Sequence, residues 1–348
     1  MKSGILILFV LSLVFGMAFV TTHVLSDVDD DEETTRGEEN GIVQMSEHQP
    51  HIFFVGDIMM GRDVETHMEK YGPSYPFAGM QNMISNADIA IGNFEGTVSE
   101  IHEHTPLFAM NFSIKSTYLA YLRTVGFDIL SLANNHSLDF GLSSLTYTRD
   151  LCMSYSLVCA GSPNSLNMYS THVVNVDEKS IGIIFLHTLI AEPDTVDLKR
   201  VLAELSEYSD IQVAYIHWGD EYKLSHNTQQ EKFAHVLIDE GVDVIVGHHP
   251  HVAQDIELYK DKPIFYSLGN FVFDQYFSDD VQEMYGITMN LNDESIVYTI
   301  VPMSSALARN QPHPMSPVLQ KPFFERLFGT IKNESGVSQE TGIITVPY

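Results

Sequence analysis

Five short segments gather the residue types that bind metal ions or move protons. They are GDIMMGR at 56–62, NFEG at 93–96, ANNHSLDFG at 133–141, HWGDEY at 217–222 and GHHPHV at 247–252. Together they hold Asp57, Arg62, Asn93, Glu95, Asn135, His136, Asp139, His217, Glu221, His248, His249 and His251. Mixed carboxylate, amide and imidazole ligands suit divalent metals such as Mn, Fe or Zn. Read alone, each piece has a plain explanation. An Asp after a Gly is commonly a turn residue, Asn134-Asn135 a turn or cap, Arg62 the partner of a carboxylate and Asp139 a helix cap. His217 beside Trp218 reads equally as a satisfied core histidine. Three histidines in four positions, directly after an apolar run, are hard to explain by packing. The five segments together point to a metal site.

Each segment follows an apolar run of strand length. In α/β sheets the ligand crevice lies outside the carboxyl ends of the strands, so a strand that stops at Asp, Asn or His delivers that side chain to the crevice. Strands are predicted at 52–56, 87–92, 127–132, 156–160, 181–186, 211–216 and 242–246. Segments 171–176 and 181–186 flank Asp177-Glu178-Lys179-Ser180 as a hairpin. Later strands are predicted at 255–259, 263–268, 285–291 and 295–301. Apolar residues three and four apart predict helices at 115–125, 142–154, 196–208 and 228–240, with a short amphipathic helix at 322–332. Strands alternating with helices give α/β layers, to which the late hairpins add antiparallel strands.

The composition narrows the function classes. Of 348 residues, 18 are Lys or Arg and 46 are Asp or Glu, a formal net charge of −28. A nucleic-acid partner needs a basic face and is not expected. Hydrophobic residues make up 44% and charged residues 18%, a globular composition with enough chain for a sizeable core. Two cysteines, Cys152 and Cys159, exclude a disulfide-built scaffold, and their apolar surroundings predict buried free thiols.

The first forty residues differ from the rest. Residues 4–20 carry no charge, Lys2 precedes them, and 27–40 hold eight acidic residues and one Arg. With the apolar residues that follow, the run is close to the roughly 20 residues that span a bilayer. Positive charge before it predicts a single-pass signal anchor with the N-terminus inside and the remainder outside the cytoplasm. The acidic run reads as a solvated spacer. The expected division is an anchor at 1–26, a linker at 27–48, a main domain at 49–303 and a C-terminal extension at 304–348.

The motif set resembles the CapA/PgsA family of capsule and poly-γ-glutamate synthesis proteins, a branch of the calcineurin-like metallophosphoesterase superfamily. The resemblance runs from about His51 to about Asn292 and includes SLGNFVFDQ at 267–275. It implies a four-layer αββα sandwich with the site at the strand ends. It implies metal ligation by Asp57, Glu95 (or less readily Asn93), Asn135, His217, His249 and His251. His136 matches the histidine that contacts the substrate phosphate or protonates the leaving group. His248 falls outside the His-x-His spacing and reads as a supporting or structural residue, and Asn270, which follows a strand, reads equally as a support for the His pair or as a plain strand-end turn. One departure stands out: the superfamily's Asp-x-His is here Asp57-Ile58-Met59, and a thioether suits neither Mn nor Zn. One ion, held by Asn135, His217, His249 and a bridging carboxylate, is therefore expected, and a second would be left with Asp57, Glu95 and His251.

The leading expectation is a membrane-anchored, extracytoplasmic, metal-dependent hydrolase. His136 would be its general acid, oriented by Asp139, and Arg62 would stabilise an oxyanion. Its partners would be an anionic polymer or phosphoester substrate, the membrane, and other membrane subunits of a polymer-synthesis complex. The rival is a non-catalytic polymer-binding or assembly subunit, and a 5′-nucleotidase-like enzyme is a third reading. Tyr71–Phe77 reads equally as a rim loop of the opening or as an ordinary packed loop, and His102 and His104 are expected as solvent-facing.

Overall fold

A computed structural model describes residues 50–329, 331 and 334–348, so the expected anchor and the whole of the linker lie outside the described residues. From its start the chain forms β1 (His51–Ile58), α1 (Arg62–Tyr71), α2 (Gln81–Asn86), β2 (Ile89–Phe94), α3 (Ser116–Val125), β3 (Ile129–Ser131), α4 (Gly141–Ser154) and β4 (Val158–Ala160). Then come β5 (Thr171–Val176), β6 (Lys179–His187), α5 (Thr195–Ser206), β7 (Ile211–His217), α6 (Thr228–Asp239) and β8 (Val244–His248). The last third adds β9 (Ile256–Tyr259), β10 (Lys262–Phe265), β11 (Asn270–Val272), β12 (Glu283–Leu291), β13 (Ser295–Ser304), β14 (His313–Pro314), α7 (Pro317–Leu327), β15 (Val337–Ser338) and β16 (Ile343–Pro347).

The strands form two mixed sheets. The larger runs in the order β15-β16-β13-β12-β1-β2-β3-β4, with β11 beside β1 and β14 beside β13. The smaller runs β5-β6-β7-β8-β10-β9. Strand alternation explains how the sheets layer. Ile52 and Phe54 of β1 share one buried cluster with Val213 and Tyr215 of β7 and Val244 and Val246 of β8. The next side chains along β1, Phe53 and Val55, point the other way and pack with Val64, Leu119, Leu122 and Leu145 of α1, α3 and α4. On the far side, Ala214, Ile216 and Ile245 pack with Leu198, Leu202, Phe233 and Leu237 of α5 and α6. Helices, sheet, sheet and helices thus stack as αββα, because period-2 strands that are apolar on both faces need cover on both.

Residues 304–348, the expected C-terminal extension, pack into the fold: β16 pairs with β13, and Phe323, Phe324 and Leu327 of α7 join the core between the sheets. Two expectations change. The helix of that region starts earlier than expected, at Pro317, where the missing proline N–H removes no helical hydrogen bond. Cys152 and Cys159 are not free thiols but a disulfide with Cα atoms 5.9 Å apart. Cys159 faces the same helix layer as Cys152, and the short return from α4 to β4 brings the two side by side. Helices α1 and α2 went unpredicted, since only Val64 and Met68 mark the apolar face of α1 and α2 has six residues.

Candidate metal centre

The strand register assembles the site. Asp57 of β1 pairs with Asn93 of β2 on one side and Asn270 of β11 on the other. In the second sheet His187, His217 and His248 lie side by side at the ends of β6, β7 and β8. Two glycines permit the close approach of the 266–270 segment. A Cβ on Gly56 would lie 1.9 Å from the Gly269 carbonyl oxygen, and one on Gly247 2.1 Å from that of Tyr266. These are the residues just before Asp57 and His248, so the motif glycines position the ligands by taking up no space.

Asp57 is fully buried at the centre. Its Oδ1 accepts from Asn93 Nδ2 at 2.8 Å and its Oδ2 from the His249 backbone N–H at 3.2 Å. His248 Nδ1 and His251 Nδ1 each stand 3.4 Å from its carboxylate. Burial pushes the carboxyl of Asp57 up, but the hydrogen bonds and charge of His248 and His251 prevail and hold it below the usual carboxylate range. Glu95 is its counterpart: burial and the nearby charge of Asp57 push its carboxyl well above the ordinary value. Its Oε1 stands 3.7 Å from His136 Nε2 and 3.8 Å from His251 Nε2.

Burial pulls His217 and His248 below the ordinary value, and His249 to about 3. His217 Nε2 meets Asn135 Oδ1 at 2.8 Å, and its Nδ1 meets His248 Nδ1 at 2.8 Å. Asn135 is itself exposed, so the cluster opens to solvent at that point. His251 Nδ1 meets Asn270 Oδ1 at 2.9 Å, while Asn270 Nδ2 donates to the His251 carbonyl at 3.2 Å. This clasp fixes the His251 ring with Nε2 toward Glu95. His136 Nδ1 meets Asp139 Oδ2 at 2.9 Å, and the His136 ring lies against Phe112 with centroids 3.9 Å apart.

Three sets of side chains bring ligand atoms within 4.8 Å of one another: Asp57 with His217 and His248, Glu221 with His249 and His251, and Asp57 with Glu95 and His251. Glu95 Oε1, His248 Nε2 and His249 Nδ1 are buried without a hydrogen-bond partner. Buried polar atoms are normally satisfied, and two buried carboxylates this close call for positive charge between them. The donor set therefore fits a divalent cation.

Some residues sit differently from expectation. His248 is closer to the centre than its spacing suggested, because β8 carries it to the strand end beside His217. The guanidinium of Arg62 is bonded to the Asp274 carboxylate through two nitrogens, and its Nη1 donates to the Ala109 carbonyl at 3.2 Å, so pairing accounts for much of its donor capacity. Met59 is buried in the outer core, and its sulfur accepts from Gly61 N–H at 3.1 Å. Residues 71–77 line no part of the opening; Pro76 and Phe77 are buried in a 3₁₀ turn over 75–77. His102 is not simply solvated, since its Nε2 meets the buried Glu65 carboxylate at 2.8 Å. Sequence reasoning missed Asn134 and His187. Asn134 Nδ2 bonds Asn93 Oδ1 at 3.0 Å, and its Oδ1 accepts from His136 N–H at 3.0 Å. His187 follows the same strand-end rule as His217, which could have found it.

Several site residues hold left-handed backbone. The φ angles are +50° at Arg62, +63° at Tyr222, +101° at His249 and +59° at His251, where a side chain is strained.

An αββα sandwich with a histidine, carboxylate and amide cluster at the strand ends defines a class of metal-site proteins. Comparison narrows it. Residues 51–275 match the model of the bacterial capsule synthesis protein PGA_cap family, and the chain belongs to that family. It is 31% identical over 289 residues to the capsule biosynthesis protein CapA of Bacillus anthracis, covering 77% of this chain and 70% of that protein. It is 32% identical over 249 residues to the PGA biosynthesis protein CapA of Bacillus subtilis (strain 168), covering 64% and 63%. Against the latter the chain thus spans less than two thirds of the relative's length. A solved phosphatase from Mycoplasma pneumoniae is 15% identical with a TM-score of 0.43, covering 73% of this chain and 87% of that one, too distant to carry an argument.

Proposed function

We propose that the chain is a membrane-anchored, extracytoplasmic, metal-dependent hydrolase acting in the synthesis or export of an anionic capsule polymer. One observation carries the hydrolase reading. His136 is held by Asp139 through Nδ1 and turns Nε2 toward Glu95 and the cluster. That is the arrangement of a general acid beside a metal site.

Asp57, Glu95, Asn135, His217, His249 and His251 would hold one or two ions of Mn, Fe or Zn, with His248 and Glu221 close by. A divalent ion bound there lowers the pKa of a water to about 7 and polarises the bond to be broken. The chain's own residues do the rest. Asn270 fixes the His251 ring, Asn93 ties Asp57 to Glu95, and Asn134 seats the His136 backbone. His136 Nε2 delivers the proton to the leaving group, while Asp139 stabilises the imidazolium before that transfer.

The disulfide supports a location outside the cytoplasm, since such bonds persist in oxidising compartments. Among the described residues no helix is long and apolar enough to cross a membrane, and the anchor reading rests on the uncharged run at 4–20. Met59 favours a second reading, a polymer-binding or assembly subunit. It stands where the superfamily's first motif has a histidine, its sulfur accepts from the Gly61 N–H, and its side chain packs in the apolar layer with Val64 and Ile114.

Elemental analysis of the full chain, beside His249→Ala, tests the reading. The hydrolase predicts at least one metal per chain, reduced in the variant, and turnover of a phosphoester or amide. Metal without turnover of either favours the assembly subunit, and no metal after purification with Mn and Zn sinks the metal site.

A further inference from the structure

Above the cluster lies a cavity of about 420 Å³, and its mouth is apolar. His136, His251 and Glu221 form the polar end, and Phe112 and Phe273 the walls. At the rim Phe108 is 89% exposed, Met110 64% and Phe277 66%, with Leu107 beside them at 49%. Large apolar side chains gathered this openly on a soluble face mark a ligand groove or an interaction surface. An aromatic path links mouth to cluster: Tyr222 lies over His251 with centroids 6.0 Å apart and meets Phe277 edge-on at 5.1 Å.

Resting on the metal-dependent hydrolase reading above, we propose that this mouth binds the apolar chain of an amphiphilic phosphate ester, with the phosphate at the histidine cluster. Of the carboxylates around the cavity, Glu221 lies with His249 and His251 among the candidate metal ligands, and the other two are engaged. Asp274 is engaged by Arg62, and Asp63 accepts from Tyr276 Oη at 3.2 Å. Arg309 is exposed at the rim with its guanidinium 4.7 Å from the Tyr276 ring, and among the described residues no carboxylate pairs with it. A cation at the rim and metal ligands at the floor suit an anionic head, and the ring of Phe108, Met110 and Phe277 suits a chain. Docking on an anionic bilayer is the weaker fit, because the net charge is −28 and the apolar residues surround a concavity that ends at the cluster.

Calorimetric titration of the full chain, supplied with manganese, against inorganic phosphate, ethyl phosphate and hexyl phosphate tests this. Each buried methylene strengthens binding about fourfold, so even partial burial should make hexyl phosphate about tenfold tighter than ethyl phosphate. In Phe108→Ala and in Phe277→Ala that ratio should fall several-fold. Both side chains are exposed, so their loss should leave the thermal melt in place, and the N-terminal apolar run is common to every sample. Phosphate binding with a hexyl-to-ethyl ratio near one, or a ratio that survives in both variants, overturns the proposal alone. No binding of inorganic phosphate removes the anion site and this proposal with it. Phosphatidylcholine vesicles containing phosphatidic acid, added as competitor, identify the source: displacement of hexyl phosphate supports a lipid ligand, and its retention supports a soluble ester.

Discussion

His136 and Asp139 are three residues apart in a turn, and their 2.9 Å contact leaves one imidazole nitrogen for chemistry. His136→Ala should therefore lower turnover by about 10²–10⁴-fold while metal content holds, read by steady-state rates beside elemental analysis. Equal loss of both would make His136 a ligand and not an acid. Asn134 is a different kind of residue: fully buried, it ties the backbone of His136 and Phe94 to the side chain of Asn93. Asn134→Ala strips partners from buried polar groups, at about 1–3 kcal/mol for each group left unsatisfied, and should lower the melting temperature by several degrees. Strand ends and a short His-rich run are local signals that made the five segments legible in the sequence, while the choice of Asp57, Glu95, Asn135, His217, His249 and His251 as ligands came from the family resemblance. Asn134 looked like an ordinary cap beside Asn135, and Asp274 announced nothing until the fold set it against Arg62.

At the scale of elements, the strands were the legible part, because β1, β7 and β8 are apolar on both faces. The mouth was not: Leu107, Phe108, Met110 and Phe277 sit in segments with no period, and gain meaning only when two distant loops meet. The loop before α6 and the start of β9 are joined by a contact of another kind. His226 Nδ1 stands 3.0 Å from Asp255 Oδ2. Burial pulls the His226 imidazole down, and Asp255 more than reverses this, so it ends above its ordinary 6.5. Burial pushes Asp255 up, but His226 draws it below 3.8. The carboxylate's share of stability is present above pH 3.8 and lost as pH falls through its lowered folded value. The imidazole's share is present below pH 6.5 and lost as pH rises through its raised folded value. Asp255→Asn should thus cost most near pH 5 and less near pH 8, measured as a difference in melting temperature. The disulfide, which closes a short loop from α4 to β4, should stabilise by about 2 kcal/mol or somewhat more. Reduction should shift the denaturant midpoint down without changing the slope.

For the whole molecule, the two sheets meet around buried carboxylates and imidazoles that contribute little to holding them together unless charge is balanced. Metal binding to the folded chain alone stabilises by about 2.7 kcal/mol at a hundredfold excess over the dissociation constant. Chelation should therefore lower the melting temperature by several degrees, and added Mn or Zn should restore it; His249→Ala should blunt both shifts. Equal melting with and without chelator would mean that the cluster takes no ion. The left-handed backbone at Arg62, Tyr222, His249 and His251 adds a consequence for the history of such a chain. Each of these positions would be more comfortable as glycine, at roughly 1–3 kcal/mol apiece. Directed evolution for heat resistance, run blind to the chemistry, should keep Arg62 for its pairing with the buried Asp274 and replace the others early. Their persistence in a lineage would record selection for what the cluster does and not for how firmly the chain folds.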